Sequence, residues 1–335
     1  MVVDARLGRL LRGTAVLGTA ASAGAVLARL AERAWRSAED PIGIEGLVLP
    51  DGEDRTVRTD DGAELAVRIV TPESRARGPA RLVRRRAPTI LLAHCWACSR
   101  RTWGPVARRL ADDGHRVVLF DHRGHGESTT GSDKPTASRL GDDLAAIVVD
   151  LGLRKAVVAG HSMGGFATMA FACDHPDLLR DRVRGLVLVA TAAHGVGLGA
   201  LDPLAGRVLG SGPLGWAMQR PRLGLLMVRG TVGRRPVLTH LAATRDMFLA
   251  TDAAVRTGCY ASFREMDHRE GLAKVDVPTV VLVGTRDAIT PPRLARAIVD
   301  AIPDARLETI EGAGHMLPLE DPDRVADVIA GLATV

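Results

Sequence analysis

Short apolar runs dominate the hydrophobic pattern of this chain after residue 88. Six of them lie at residues 89–93, 117–120, 156–159, 186–190, 280–283 and 307–310. Most are bounded by Gly, Asp or Pro, and segments with helical spacing lie between them at 103–112, 137–151, 165–173, 292–301 and 321–333. Apolar strands that alternate with helices predict an α/β fold, with a mostly parallel sheet covered by helices on both faces.

Two further segments complete this pattern. Residues 54–59 and 64–70 alternate around Asp60-Asp61-Gly62, which predicts a β-hairpin ahead of the parallel strands. Residues 191–275 separate the fourth and fifth apolar runs, and a stretch of this length is too long for a simple loop. It predicts an insertion of helices near 201–210, 213–228, 236–250 and 252–264 over the carboxyl edge of the sheet.

The first chemical motif follows the predicted strand at 156–159. Gly160-His161-Ser162-Met163-Gly164 has the form G-x-S-x-G and lies between that strand and the helix that opens at Gly165. In this context the glycines allow a tight, strained turn that exposes the serine hydroxyl at the top of the sheet. Ser162 is therefore the candidate nucleophile.

A serine nucleophile needs a base and a group that orients the base. The strand at 280–283 runs into Gly284-Thr285-Arg286-Asp287, and the strand at 307–310 runs into Glu311-Gly312-Ala313-Gly314-His315. The chain order Ser162, Asp287, His315 is the order expected for a catalytic triad in this architecture.

From about residue 50 to residue 335 the chain resembles an α/β-hydrolase of the serine esterase and lipase-like branch with a helical cap. The matching segments are G-H-S-M-G-G at 160–165, Asp121–Ser128, Gly-x-x-Asp at 284–287 and Gly-x-Gly-His at 312–315. The resemblance implies a core of residues 51–191 and 276–335, a cap of residues 192–275 after the sixth strand, and an N-terminal helix and linker in residues 1–50.

The resemblance also implies an oxyanion hole built from two backbone N–H groups. Met163 supplies the first by its position after the nucleophile, and Trp96 the second, in the loop after the third strand. Relatives usually carry His-Gly-x in that loop, where this chain has His94-Cys95-Trp96. Glycine suits a sharp turn beside the substrate, so Cys95 departs from the pattern without removing the N–H of Trp96.

These residues predict a serine hydrolase that cleaves carboxylic esters through an acyl-enzyme intermediate, with no metal and no organic cofactor. Apolar cap residues favour an apolar acyl or alkyl group: Leu204, Leu209, Trp216, Met218, Leu225, Met227, Met247 and Phe248. A thioesterase, a cofactor-free perhydrolase and a C–C bond hydrolase share the triad and remain alternatives. A catalytically silent binding protein of the same fold is the alternative outside enzymes, and the complete triad argues against it.

The remaining polar candidates have structural interpretations. His161 lies inside the elbow with its side chain expected to point away, and His94 is expected to brace the oxyanion loop. His122 and His125 are interpreted as hydrogen-bonding loop residues, and Asp142 and Asp143 as carboxylates on a helix surface. Cys95 and Cys98 form a single C-x-x-C without the second pair that zinc requires, so packed thiols near the pocket are expected.

Composition and charge limit the classes of molecule that the chain is expected to bind. The chain has 335 residues, 46% hydrophobic and 25% charged, which is ordinary for a globular protein. The net charge of +5 comes from two basic segments, residues 1–36 and 71–88, and no nucleic-acid-reading motif accompanies them. A small-molecule ester substrate is expected, and no nucleic acid. The sequence indicates no oligomeric state.

The N-terminal segment leaves three interpretations open. Arg6, Arg9 and Arg12 precede a charge-free run over residues 13–28, and three more arginines follow it by residue 36. The run fits a signal peptide cleaved near residues 21–23, an uncleaved anchor or surface helix on a membrane, or a helix packed on the protein itself. The arginines after the run argue against export, so a membrane-associated or cytoplasmic location is predicted.

Overall fold

A computed structural model of the protein describes residues 29–72, 88–195 and 207–334. Its centre is an eight-stranded sheet of order β1-β2-β4-β3-β5-β6-β7-β8. The strands are β1 (Glu53–Arg58), β2 (Glu64–Val70), β3 (Ile90–Ala93), β4 (Val117–Phe120), β5 (Ala156–His161), β6 (Val183–Val189), β7 (Thr279–Gly284) and β8 (Ala305–Ile310).

Strand pairing follows the hydrophobic pattern. Strand β2 pairs antiparallel with β1 and β4, and every other pairing is parallel. Strands β3, β4, β5 and β7 are buried along their whole length, as expected for strands covered on both faces. The predicted fold class is thereby confirmed.

Thirteen helices are bounded within the described residues. They are α1 (Gly43–Gly46), α2 (Gly104–Asp112), α3 (Ala137–Asp150), α4 (Met163–Asp174), α5 (Pro176–Arg182), α6 (Gly212–Gln219), α7 (Pro221–Val228), α8 (Leu238–Ala250), α9 (Ala253–Glu265), α10 (Arg269–Leu272), α11 (Pro292–Ala301), α12 (Leu317–Glu320) and α13 (Pro322–Thr334). Residues 29–37 are helical as well.

One predicted helix is divided in the structure. The segment 213–228 forms two helices, α6 and α7, which meet at Arg220. Pro221 is the cause, because proline has no N–H to continue a helix but suits the first turn of a new one. The predicted helix near 201–210 lies partly outside the described residues, where only 207–209 are helical.

The insertion leaves and rejoins the sheet at adjacent points. His194 forms an isolated antiparallel bridge with Asp267, and the His268 N–H donates to the Ala193 carbonyl at 2.8 Å. Helices α6 to α9 lie between these two points in the chain. These contacts hold the two ends of the insertion together, so its helices can pack as a unit over the edge of the sheet.

The N-terminal segment is described only from residue 29, so the charge-free run at 13–28 lies outside the described residues. Residues 29–37 pack on the insertion. Trp35 is buried in a cluster with Leu225 and Val228 of α7, and Glu32 accepts from Arg222 at 2.8 Å. The three interpretations of the charge-free run itself stay open. None of the described helices is long and apolar enough to cross a bilayer.

Candidate active site

The turn between β5 and α4 holds Ser162 in a strained conformation. Its φ of 52° and ψ of −111° lie outside the regions that residues with a Cβ ordinarily occupy. The glycines on either side are sterically required: a Cβ at Gly160 would lie 2.2 Å from the Gly164 carbonyl oxygen, and one at Gly164 would lie 2.2 Å from that of Ala93. The local sequence thus accounts for the strain that presents the serine.

Asp287 and His315 form the hydrogen-bonded pair predicted from their positions after β7 and β8. His315 Nδ1 lies 2.9 Å from Asp287 Oδ2, which also accepts from Thr290 Oγ1 at 2.8 Å. The other carboxylate oxygen, Oδ1, accepts the N–H groups of Ile289 and Thr290 at 2.8 and 2.9 Å. Both carboxylate oxygens are therefore held, and Nδ1 of the histidine carries a proton toward them.

Electrostatics keep the Asp287 carboxylate charged. Burial raises its pKa, but the charge and hydrogen bond of His315, together with the donors of Thr290, outweigh burial, so the pKa lies below its usual value. When the imidazole is neutral, its one N–H proton lies at Nδ1 toward this carboxylate, so Nε2 of His315 has a lone pair for another partner. Ser162 and His315 line the same cavity.

The loop that carries His315 is anchored from two sides. His161 Nε2 donates to the His315 carbonyl at 2.8 Å, so the side chain next to the nucleophile points below the elbow, as expected. The Thr231 carbonyl of the insertion accepts the N–H groups of His315 and Met316 at 2.9 and 3.1 Å. The backbone of the histidine is therefore held by both the elbow and the insertion.

Glu320 makes a second connection between the insertion and this loop. Its carboxylate accepts the Gly314 N–H at 2.9 Å and the Gly233 N–H at 2.7 Å. The two glycines are closely apposed, since a Cβ at Gly314 would lie 2.5 Å from the Gly233 nitrogen. Burial raises the pKa of Glu320 despite these donors. The sequence pattern did not single out Glu320, because its partners are backbone groups.

The oxyanion loop is held by two buried histidines, one on each side of Trp96. His94 Nδ1 donates to the Cys95 carbonyl at 2.7 Å, and the Ala97 N–H donates to His125 Nε2 at 3.2 Å. Burial lowers the pKa of His94 to about 4 and that of His125 to about 3, so both rings are neutral near pH 7. The bracing role predicted for His94 matches this geometry, and His125 has the same role.

Two details of this loop differ from the sequence interpretation. The residue with a left-handed backbone is Ala97, with φ of 51°, and Cys95 is not among the positive-φ residues. The sharp turn is therefore displaced from the position where relatives carry glycine. His122 takes part through its backbone N–H, which donates to His94 Nε2 at 3.0 Å, while its ring nitrogens have no partner among the described residues.

Asp143 is a buried ligand of Arg123, so its interpretation as a surface carboxylate was wrong. It is fully buried and accepts from Arg123 Nε and a terminal guanidinium nitrogen at 2.7 and 2.6 Å. Asp61, in the turn between β1 and β2, accepts from the same guanidinium at 2.7 Å. Asp142, one position earlier in α3, is 40% exposed as expected. Helical spacing turns the adjacent residue inward.

A cavity of about 310 Å³ lies above Ser162 and His315. Its walls are mostly apolar and come from the oxyanion loop, the insertion and the loop after β7. The lining residues are Cys95, Trp96, Ala97, Cys98, Leu209, Leu214, Met218, Met227, Val228, Thr231, Thr244, Phe248, Ile289 and Met316. The volume lies at the lower end of the range for ligand pockets, about 300–1,000 Å³.

The cap residues predicted to contact substrate divide into groups. Four line the cavity: Leu209, Met218, Met227 and Phe248. Leu225 and Met247 pack in apolar clusters beside it, and Trp216 is 57% exposed. Leu204 lies outside the described residues. An apolar residue in the cap is therefore about as often outside the cavity wall as in it, so apolar character alone does not predict contact with a substrate.

Cys95 and Cys98 are buried free thiols in the cavity wall. Burial raises the pKa of Cys95 well above its ordinary value, so it is a neutral thiol near pH 7. Among the described residues, no group of three or more His, Cys, Asp or Glu side chains gathers as a metal site would require. The pair thus contributes packing and polarisable surface to the cavity.

An α/β sheet with a strained serine elbow, an Asp–His pair after the last two strands and a helical insertion defines the α/β-hydrolase class. The alpha/beta hydrolase family model matches residues 90–328, and the chain belongs to this family.

The chain is similar to the bifunctional esterase/perhydrolase DCH of Acinetobacter calcoaceticus, at 26% identity over 72% of this chain and 90% of the relative. It is 29% identical to a pimeloyl-acyl-carrier-protein methyl ester esterase of Neisseria meningitidis, over 68% of this chain and 86% of the relative. A thermophilic esterase of Thermogutta terrifontis superposes with a TM-score of 0.67 and 28% identity, over 84% of this chain and 97% of that one. The predicted enzyme class, an esterase-like hydrolase, is confirmed.

Proposed function

We propose that this protein hydrolyses carboxylic esters with an apolar acyl or alkyl group, through an acyl-enzyme on Ser162. The observation that carries the proposal is the placement of Ser162 and the Asp287-anchored His315 in one apolar cavity. Residues 51–191 and 276–335 are proposed as the catalytic core, with residues 192–275 as a cap that shapes the cavity.

The chemistry follows from the protonation states at the site. His315 Nε2 takes the Ser162 proton as Oγ attacks the ester carbonyl, and the Asp287 carboxylate stabilises the imidazolium that forms. The same proton then passes to the leaving alkoxide. Water, deprotonated by His315, attacks the acyl-enzyme; the acid is released as the bond to Ser162 Oγ breaks, and His315 returns the proton to Oγ.

The developing oxyanion is assigned to the N–H groups of Met163 and Trp96. Met163 opens α4, so its N–H has no partner within the helix and the positive end of the helix dipole lies at the same point. Trp96 lies between the two residues that His94 and His125 hold. Donors held rigidly before reaction contribute about 3–4 kcal/mol each in comparable enzymes.

Perhydrolysis is the second candidate reaction, and a specific observation favours it: one relative is named as both an esterase and a perhydrolase. Peroxide would replace water as the attacking nucleophile on the same acyl-enzyme, forming a peracid and free Ser162. Thioester and C–C bond cleavage would use the same triad, and the test includes an acyl-CoA thioester.

The test combines labelling with a substrate series. A fluorophosphonate is expected to add once per chain at Ser162, and Ser162→Ala to abolish labelling and ester hydrolysis. His315→Ala is expected to suppress labelling as well, because an unassisted serine hydroxyl is a poor nucleophile. A chain-length series of p-nitrophenyl esters, compared with an acyl-CoA thioester and with peracid formation from peroxide, identifies the preferred reaction.

Ser138→Ala is a matched control, because Ser138 is exposed at the start of α3, its hydroxyl donates to Asp174 and it does not line the cavity. Substantial ester hydrolysis by Ser162→Ala would contradict the proposal. Labelling of the unaltered protein without turnover of any ester would retain the nucleophile and refute the substrate class. The predicted membrane association of residues 1–36 stays a prediction, because residues 1–28 lie outside the described part of the chain.

A further inference from the structure

Exposed apolar side chains are concentrated on the outer face of the cap. Leu223, Leu226 and Met227 of α7 are 41%, 40% and 44% exposed, and Trp216 of α6 is 57% exposed. The positions 223, 226 and 227 have the spacing that puts side chains on one face of a helix. We call the outward surface of α6 and α7 with the preceding residues 207–211 the cap face.

The cap face is outward because its opposite side is already buried. Leu225 and Val228 of α7 and Met218 of α6 pack together with Trp35 beneath the two helices. The apolar residues on the outer side are therefore additional to those that hold the cap together. Leaving several of them in water is unfavourable, and exposed apolar patches of this kind mark interaction sites.

Charge on the same surface has a single sign. Residues 207–228, the range of the cap face, contain three arginines and no Asp or Glu, and Arg207, Arg220 and Arg222 are all exposed. The Arg220 guanidinium lies 4.6 Å from the centre of the Trp216 ring. Residues 37–72, 88–195 and 236–334 hold 26 Arg and Lys against 35 Asp and Glu, a net charge of −9. Positive charge is thus collected where the apolar side chains are exposed.

The helix at 29–37 extends this surface. Glu32 accepts from Arg222 of α7 and from Arg36, which places the helix beside the cap face and neutralises part of its own charge. Arg29 and Arg33 are exposed next to Leu30, which is 55% exposed. The helix therefore contributes the same combination of arginine and apolar side chains.

The substrate cavity reaches this surface. Met227 belongs both to the exposed side of α7 and to the cavity wall, and Ile289, which also lines the cavity, is 40% exposed. An apolar molecule that leaves a surface in contact with α7 would enter the cavity past these two side chains.

We propose that the cap face docks on an anionic lipid bilayer, with Trp216, Leu223 and Leu226 inserted among the acyl chains and the arginines at the headgroups. Arginine side chains complement anionic headgroups, and shallow insertion of an apolar helix face is the established mode of interfacial binding. Docking itself does not depend on the ester reaction. The consequence that ester substrates enter the cavity from the bilayer does rest on the proposed function.

Trp216 is a native reporter for docking of the full chain. Addition of phosphatidylglycerol vesicles is expected to shift tryptophan emission to shorter wavelength, and lipids brominated in the acyl chain are expected to quench it. Phosphatidylcholine vesicles and high salt should both weaken the response, because the attraction is electrostatic. Trp216→Phe should remove most of the shift, since Trp35 and Trp103 are buried within the fold and Trp96 lies in the cavity wall and not on the cap face.

Leu223→Ser combined with Leu226→Ser is expected to weaken vesicle binding at least ~10-fold while hydrolysis of a soluble ester is retained, because neither residue lines the cavity. Val149→Ser is the matched control, since Val149 is 60% exposed on α3 and lies outside the cap face. Vesicle binding without any change in Trp216 emission would overturn the proposal, as would equal effects of the two sets of substitutions. Docking without ester turnover would refute only the proposed function.

Discussion

The loops beneath the substrate cavity and the helices above it are built on different principles. The lower region, here the cavity floor, comprises the loops after β3, β4, β5, β7 and β8, and buried polar groups hold it together. The Asp287 carboxylate, for example, accepts four hydrogen bonds, and the rings of three buried histidines form hydrogen bonds with backbone groups: His94, His125 and His161. The upper region, α6 to α8, is joined mainly by apolar contacts around Trp35 and Leu241.

The difference reflects what each region has to specify. Hydrogen bonds have narrow distance and angle requirements, and a buried polar group left without a partner costs about 1–3 kcal/mol, so such contacts fix atoms in place. Apolar contacts tolerate replacement by side chains of similar volume. Under the proposed function, a floor built from the first kind of contact would fix the reacting groups, and a roof built from the second kind would adapt to different substrates.

The strongest test of the floor is Asp287→Asn, which we expect to lower kcat by as much as ~10⁴ while the fold is retained. The amide can no longer stabilise the imidazolium or fix the tautomer with Nδ1 protonated. Initial rates on a soluble p-nitrophenyl ester measure the loss, and Asp300→Asn on the exposed side of α11 should be neutral. Near-normal activity of Asp287→Asn would mean that another carboxylate orients His315.

Asp143→Ala tests whether buried polar groups also hold the scaffold of the floor. Arg123 would keep its charge in a buried site with one of its two carboxylates missing, and we expect a loss of about 3–5 kcal/mol in unfolding free energy. Chemical denaturation measures it. Asp142→Ala, one residue away and exposed, should cost less than about 1 kcal/mol. Similar losses for the two variants would show that burial at position 143 has no energetic consequence.

The buried histidines predict how stability depends on pH. His94 and His125 have pKa values of about 4 and about 3 in the fold, below the ordinary value of 6.5. The unfolded chain therefore binds more protons in this range, so stability is full above about pH 6.5 and falls as the pH decreases toward these values. The melting temperature should fall as the pH is lowered from about 7 to about 4.5, and His125→Gln should make this fall less steep. If the melting temperature of His125→Gln depended on pH as that of the unaltered protein does, other groups would be responsible for the fall.

The smallest effect is expected in the roof. Phe248 lines the cavity, and its ring contacts Trp96 and the Arg256 guanidinium. We expect Phe248→Ala to shift the preference among p-nitrophenyl esters toward longer acyl chains by up to ~10-fold, with kcat on the best ester changed less than ~3-fold. A large loss of kcat on all esters would remove the proposed distinction between floor and roof.

Several features of the molecule follow from local sequence. The run of apolar segments indicates the strands, and the hairpin and elbow are each encoded in a few consecutive residues. Gly160 shows why this works: its need for hydrogen in place of a Cβ arises within the turn itself, against the Gly164 carbonyl. The candidate residues Ser162, Asp287 and His315 are identifiable because each follows directly from a strand end.

Other features depend on contacts between distant parts of the chain. Asp142 and Asp143 are chemically identical neighbours, and only the packing of α3 against the Arg123 loop makes one a surface group and the other a buried ion-pair partner. Glu320 holds Gly314 and also Gly233, which lies 87 positions away from Glu320 in sequence, through backbone N–H groups that every residue except proline carries. Local sequence patterns determine which helices and strands form and which side chains could take part in catalysis. Which side chains are buried, and which groups they bond to, is decided only when the helices and strands pack together.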